Sequence, residues 1–341
     1  MYKIIYVGRP IEEFVEALYK AETLRICGFI LDDNISSKEL ELDRKFLQNH
    51  NFTEYTFSDL GIIRPDLLFM PYYTKIIKSD IIDKYLFVNL HGGILPKWRG
   101  FSSNLWALLN GEKRVGYTFH RVRRGMDSGE IYKVIDVEVD DSDKFIDLRN
   151  KIRQIICSQL ENILVNIITG VLKPVAQRNV DIAYNCQLKP SDGEVIDWNK
   201  PSRYFIGLWQ IFSYPPYGTG MKIFIHDEPY YVLKIGVASE IAAYVGIPGA
   251  VVNKYDDGSV LIKTQDTGIR VYELMDMNKN KILPGDFMQI GNRLNENIFS
   301  SGGGQRLRCS LFKPNKIAAI DSGSVSSNRY VTFGDRKVAA V

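Results

Sequence analysis

Over the first half of the chain, short apolar runs alternate with stretches whose apolar positions recur every three or four residues. Residues 3–8 are one such run, and 10–22 follow with Ile11, Phe14, Val15 and Leu18 at helical spacing and Pro10 near the first turn. Residues 24–31, 66–70 and 85–89 repeat the apolar run, while Leu105, Trp106 and Leu109 mark a helix over 102–110 that stops at Gly111. Strands alternating with helices predict an α/β fold, a doubly wound, Rossmann-like parallel sheet covered on both faces. Ligands of such sheets bind beyond the carboxyl ends of the strands, and Asn89 and His91 lie at one such end.

Residues 115–122 and 130–139 predict two further strands around a glycine-bounded turn. An amphipathic helix then runs to about residue 168, with Asp141 or Ser142 as its N-cap and a stripe of Ile146, Leu148, Ile152, Ile155, Leu160, Ile163, Leu164 and Ile167. A connector over 172–190 leads to a helix at 202–212 and to strands at 221–225, 230–238, 249–254, 259–264 and 269–274. Glycine, aspartate and asparagine punctuate these strands, as in a small antiparallel, OB-like β-barrel. The expected domains are 1–180, 181–300 and a tail of 301–341 entered through the flexible Ser300-Ser-Gly-Gly-Gly304.

Composition narrows the classes. The 341 residues are 24% charged and 45% hydrophobic, as in a soluble globular protein. A net charge of +3 is too small for a nucleic-acid track, whose affinity rests on many neutralised phosphates. The one basic cluster, Arg121, Arg123 and Arg124, suits one or two phosphates. No apolar run reaches the roughly 20 residues of a membrane span, and Met1 leads straight into a strand, so a cytoplasmic protein is expected. Cys27, Cys157, Cys186 and Cys309 show no paired spacing and read as reduced thiols, mostly small core residues. No histidine, cysteine or aspartate spacing suggests a metal site. The first strand ends Val7-Gly8-Arg9-Pro10 without a Gly-x-Gly-x-x-Gly, which disfavours a dinucleotide cofactor.

The chemistry concentrates in Phe87-Val-Asn-Leu-His-Gly-Gly-Ile-Leu-Pro-Lys-Trp-Arg-Gly100 and Gly125-Met-Asp-Ser-Gly-Glu-Ile131. Strand alternation puts Asn89 and His91 on one face, and Asp127 offers a short carboxylate between two glycines. An amide to hold an oxyanion, an imidazole to move a proton and a carboxylate to orient the imidazole are the parts of an acyl transfer.

Asn-x-His-x-x-x-Leu-Pro-x-x-Arg-Gly followed by Asp-x-Gly-x-Ile resembles the signature of the N10-formyltetrahydrofolate-dependent formyltransferases, over residues 1 to about 294. Ser191-Asp-Gly-Glu-Val-Ile-Asp-Trp198 is similar to the stretch that ends their catalytic domain. The resemblance implies that Asn89 and His91 serve the tetrahedral intermediate and that Asp127 fixes the imidazole. It implies N10-formyltetrahydrofolate as donor, no metal, and a donor pocket at Met70, Tyr73, Ile94, Leu95, Gly125 and Met126. Thr74 stands where the family usually has glycine.

Lys97-Trp-Arg-Gly-Phe-Ser-Ser-Asn-Leu-Trp-Ala-Leu-Leu-Asn-Gly-Glu112 and Tyr214-Pro-Pro-Tyr-Gly218 most resemble the sugar-nucleotide N-formyltransferases. That implies transfer to a UDP- or dTDP-linked amino-dideoxysugar for surface polysaccharide, by a homodimer without nucleic acid or membrane span. Lys97, Arg99, His120, Arg121, Tyr214 and Tyr217 are the acceptor-site candidates, the two tyrosines as stacking platforms. Gly92-Gly93 stands where the family more usually has a small polar or Ser-containing pair, and should free space beside His91 for the acceptor. Methionyl-tRNA formylation, a formyltetrahydrofolate hydrolase and a silent nucleotide-sugar binder are the alternatives.

Overall fold

The computed structural model describes residues 1–178, 181–193, 196–212, 220–225, 228–238 and 246–294, together with the backbone of 330–333 and 336–339. The first part is built from β1 (Tyr2–Gly8), α1 (Glu12–Tyr19), β2 (Leu24–Ile30), α2 (Ser37–Asn49), the short α3 (Leu60–Ile63), β3 (Leu67–Tyr72) and α4 (Ser79–Ile82). There follow β4 (Phe87–His91), β5 (Trp98–Gly100), α5 (Ser103–Leu109), β6 (Arg114–Arg121), β7 (Ile131–Glu138) and α6 (Phe145–Ile168).

One six-stranded sheet runs in the order β2-β1-β3-β4-β6-β7. Its first four strands are parallel, β6 runs antiparallel to them, and β7, antiparallel to β6, returns to their direction. Ile4, Ile5, Tyr6 and Val7 of β1 and Leu67, Leu68 and Phe69 of β3 are wholly buried. Apolar side chains on both faces are what a helix-covered parallel sheet requires. Helix α6 seals one face through Leu148, Ile152, Ile156, Leu160, Ile163, Leu164 and Ile167, each such side chain contributing about 1.5–3 kcal/mol on burial. Ile146 and Ile155 lie at the rim of this stripe, and Ile156 takes the inner place.

The α6 cap departs from expectation. The helix opens at Phe145 with Lys144 as N-cap and no side-chain cap. The Asp140 carboxylate instead accepts from the Ser142 amide and hydroxyl, closing a turn before the helix. The thiols depart as well: Cys27 and Cys157 are half-buried and Cys186 is exposed, while Cys309 lies outside the described residues.

The connector contributes β8 (Ala183–Asn185), which pairs in parallel with β5. Next come α7 (Ser202–Phe212), β9 (Lys222–Ile225), β10 (Glu228–Val237), β11 (Val251–Lys254), β12 (Val260–Lys263), β13 (Gly268–Met275) and β14 (Lys281–Ile282). Strands β11-β12-β13-β10-β9 form an antiparallel, curled half-barrel, with β14 on β13. Helix α7 packs across α5, and a Cβ on Gly207 would stand 2.4 Å from the Leu108 carbonyl oxygen, so only glycine allows that approach. Strands β15 (Tyr330–Phe333) and β16 (Arg336–Ala339) pair as a hairpin within the expected tail; the 300–304 hinge lies outside the described residues.

Candidate active site

Asn89 and His120 are direct partners across β4 and β6, so their side chains share a face, and His91 follows two residues along the same strand. The turn between β6 and β7 brings Asp127 onto that face. Its Oδ2 lies 3.4 Å from His91 Nδ1 and accepts from the Gly100 amide at 2.8 Å. Its Oδ1 lies 3.5 Å from both Asn89 Nδ2 and His120 Nε2. The three residues expected to do the chemistry are therefore gathered in one place, with His120 as a fourth member.

Hydrogen-bond logic assigns the protons. His91 Nε2 is 2.7 Å from the Trp98 carbonyl oxygen, which only accepts, so Nε2 carries hydrogen and Nδ1 presents its lone pair. His120 Nδ1 is 2.9 Å from the Arg121 carbonyl oxygen, so its Nε2 is bare and accepts from Asn89 Nδ2 at 2.9 Å. Burial pushes the His91 pKa below the ordinary imidazole value, and His120 adds to this; Asp127 and the Trp98 carbonyl oppose it without prevailing. Burial also works against charge on Asp127, but His91, His120 and the Gly100 amide together hold its carboxyl at about 2. At neutral pH the resting site is a neutral His91 beside an ionised Asp127. A proton arriving at Nδ1 would create a short-range ion pair, which suits a general base.

Two features that patterning did not reveal fix this arrangement. Thr118, fully buried opposite His91, donates to the Gly93 carbonyl at 2.7 Å and accepts from the Leu95 amide at 3.2 Å. Gln177, from the connector, donates to the carbonyls of Asp127 and Gly129 at 2.7 and 2.6 Å. Side chains that act on backbone carbonyls leave no periodic signal in a sequence.

On the donor side, Met70 pairs with Asn89 across β3 and β4. Met70, Ile77 and Phe87 share one apolar cluster, against which Tyr73 and Val122 pack. Leu95 is buried and Ile94 half-buried, while Gly125 and Met126 are exposed in the turn. An apolar wall next to Asn89, with open turn backbone beside it, fits a flat heterocycle with polar edges such as a pterin. The loop after β3 keeps its shape without a glycine: Thr74 donates its amide and hydroxyl to the fully buried Asp32 at 2.7 and 2.8 Å.

The acceptor candidates fare differently. Arg99, expected to meet the acceptor, is 4% exposed and turned inward, donating to Gln177 and to the Tyr184 hydroxyl. His120 likewise faces Asn89 and Asp127. Lys97 is exposed and paired with Glu112 at 2.5 Å. Arg123 and Arg124 are paired with Glu130 and Asp83. Arg121 is half-buried and has no ion pair among the described residues. Tyr214 and Tyr217 lie outside the described residues. Gly93 does not free space: a Cβ there would stand 2.8 Å from His91 Nε2 and 2.9 Å from the Trp98 carbonyl oxygen. Among the described residues there is no cluster of metal-ligating side chains and no helix long and apolar enough to cross a membrane.

Sequence families described as "Formyl transferase" and "Formyl transferase, C-terminal domain" match residues 30–162 and 187–292. A methionyl-tRNA formyltransferase of Bacillus velezensis is 26% identical over 235 residues, covering 67% of this chain and 70% of that protein. Among solved structures, WlaRD, a sugar 3N-formyl transferase crystallised in the presence of dTDP and 5-N-formyl-THF, superposes with a TM-score of 0.60 at 20% identity, covering 82% of this chain and 99% of that one. An N-formyltransferase from Helicobacter canadensis, in complex with folinic acid and dTDP-3-aminofucose, gives a TM-score of 0.60 at 18% identity, covering 80% of this chain and 99% of that one. At these identities the structural likeness shows a shared fold.

Proposed function

The chain belongs to the formyl transferase family and is a folate-dependent formyl transfer enzyme, and from that premise we propose that it formylates the amine of a nucleotide-linked amino-dideoxysugar. N10-formyltetrahydrofolate supplies the formyl group. In this reading Asn89, His91 and Asp127 are the catalytic residues. Asn89 Nδ2 keeps one hydrogen on His120 and has its second only loosely held, 3.5 Å from Asp127, ready for the formyl oxygen as charge builds there. His91 takes the proton released by the attacking amine at Nδ1, Asp127 stabilises the imidazolium that results, and the proton passes to N10 as the bond from the formyl carbon to N10 breaks and tetrahydrofolate leaves. Met70, Tyr73, Ile94, Leu95, Gly125 and Met126 border the donor.

The observation that carries the acceptor class is the state of the cations around the site. Lys97, Arg123 and Arg124 are each committed to a carboxylate and Arg99 is buried, leaving Arg121 for a phosphate group. That fits the compact diphosphate of a UDP- or dTDP-sugar, with Tyr214 and Tyr217 stacking on its base. A polyanion would need an unpaired basic surface. Residues 1–180 would form the catalytic domain and 181–300 a second domain. The enzyme would act as a cytoplasmic homodimer supplying surface polysaccharide such as O-antigen.

The sequence match to a methionyl-tRNA formyltransferase favours a second reading, in which the acceptor is a charged tRNA. The test is tetrahydrofolate release with UDP- and dTDP-linked 3- and 4-amino sugars, with methionyl-tRNA, and with no amine, beside a His91→Ala control. Turnover with one sugar that disappears in the variant supports the proposal. Turnover with methionyl-tRNA alone, falling steeply with salt, replaces it with the second reading. Formate release without any amine would make the protein a hydrolase.

A further inference from the structure

We propose that Gln177 is a positioning residue of this centre, setting the place of Asp127 by gripping its backbone; the inference rests on the catalytic reading of Asp127 above. Asp127 has φ of 48°, the left-handed region that L side chains occupy only when their surroundings hold them there. Within the turn Ser128 Oγ donates to the carbonyls of Arg124 and Gly125 at 2.9 and 3.1 Å, bracing the residues on either side and leaving the Asp127 carbonyl to be held from outside. Gln177 holds it, donating through Nε2 to the Asp127 carbonyl at 2.7 Å and to the Gly129 carbonyl at 2.6 Å.

The other end of the same amide is equally committed. Gln177 Oε1 accepts from Arg99 Nε at 3.2 Å and from Arg99 Nη2 at 2.7 Å. A guanidinium only donates and a carbonyl only accepts, so the amide fits in one orientation, and a carboxylate in its place would face two carbonyl oxygens. Arg99 is itself immobilised. Its Nη1 donates to the Tyr184 hydroxyl at 2.9 Å, and its carbonyl accepts from Asn185 Nδ2 at 3.1 Å. The next residue, Gly100, donates its amide to Asp127 Oδ2 at 2.8 Å.

The circuit is therefore closed. Strand β5 holds the Asp127 carboxylate through Gly100 and holds the Asp127 carbonyl through Arg99 and Gln177. Gln177 enters this circuit because the connector pairs with β7 just upstream, where Val175 and Ile131 exchange backbone hydrogen bonds of 2.8 Å. Among the described residues Gln177 forms no hydrogen bond with the side chain of Asn89 or His91, so its influence on the chemistry passes through Asp127. What it controls is the 3.4 Å separation of Asp127 Oδ2 from His91 Nδ1.

The experiment is a titration of the imidazole nitrogens of His91 by NMR in 15N-histidine-labelled protein, which needs no turnover; with four histidines in the chain, assignment is tractable. Asp127 raises the His91 pKa, so Gln177→Met should move the His91 titration to lower pH in the otherwise native chain. The same change made in an Asp127→Asn background should leave it in place. No movement in the native background, or equal movement in both, would overturn the proposal. Should Gln177→Met fail to fold, Gln177→Asn carries the same pair of titrations, because it adds no charge and shortens the amide so that it cannot hold Arg99 and the two carbonyls together. In turnover, kcat should fall on the order of 100-fold with donor KM nearly constant; a fall confined to KM would count against positioning. If the native chain transfers formyl to no amine, the functional reading fails while the titrations still decide the placement of Asp127.

Discussion

Asn89 Nδ2 stands 2.9 Å from the bare Nε2 of His120, so one hydrogen of the amide is spoken for before any substrate arrives. The amide plane is thereby fixed, and the other hydrogen is directed loosely at Asp127 Oδ1, 3.5 Å from the nitrogen. Preorganisation of this kind is what makes a hydrogen-bond donor effective against developing charge.

Asn89→Ala should lower kcat/KM by about 100- to 1000-fold, the usual loss for an oxyanion donor. His120→Ala, which removes the anchor and leaves the donor, should cost less, and His120→Asn, which can offer an acceptor, less again. Steady-state kinetics beside 5-formyltetrahydrofolate binding checks the order. Equal losses in all three variants would mean that His120 acts by itself.

The pH dependence follows from the opposed influences on His91, burial and His120 lowering its pKa against Asp127 and the Trp98 carbonyl. Because His91 is depressed below its ordinary value, the acid limb of kcat/KM should fall below pH 6.5, with activity rising as His91 loses its proton. Removing the Asp127 charge withdraws the influence that raises His91, so Asp127→Asn should move the limb to lower pH while reducing the plateau.

Stability changes in the same direction. The unfolded chain binds protons at His91 and Asp127 more readily than the folded one, so both groups favour the fold at higher pH. The His91 contribution is complete above its unfolded value and wanes as pH falls through it. That of Asp127 is complete above about 4 and is lost towards about 2. Thermal melts between pH 7 and pH 3 should show Tm falling, with a shallower decline below pH 4 in Asp127→Asn.

The adjacent glycines should behave in opposite ways. A Cβ on Gly92 meets only the Tyr117 ring at 3.6 Å, whereas one on Gly93 presses on the His91 to Trp98 hydrogen bond and on Ser103 Cβ at 2.6 Å. Gly92→Ala should keep activity within a fewfold of native. Gly93→Ala should reduce kcat by at least about 100-fold through displacement of His91, and His91 titration in each variant would separate displacement from unfolding.

The gathering of Asn89 and His91 was legible because strand alternation is a strict rule: two residues apart means one face, and both obey it. The parallel sheet and helix α7 were legible for the same reason, as continuous or periodic apolar patterns. Helix α2 went unread although Ser36 and Glu39 form a capping box that the sequence displays. Strands β5 and β8 are three residues each and find one another across some 80 positions, so neither has a local pattern to detect. Arg99 misled because an arginine beside a catalytic strand looks the same in sequence whether it faces substrate or the protein. Its burial is decided by Gln177 and Tyr184, remote residues brought in by the connector.

The tether between Thr74 and Asp32 bears on how fast a donor would be captured at the pocket proposed beside this loop. A glycine at position 74 would leave the loop many conformations in the unfolded chain and several in the folded one, and some would have to be given up at each encounter. With threonine clasped to a buried carboxylate, and Asn34 donating to the same threonine hydroxyl at 3.0 Å, that ordering is completed once, when the chain folds. At the proposed donor pocket, each arriving folate would then meet a surface already in its receiving shape, and the frequency of productive collisions would be set by diffusion and orientation instead of by waiting for the loop.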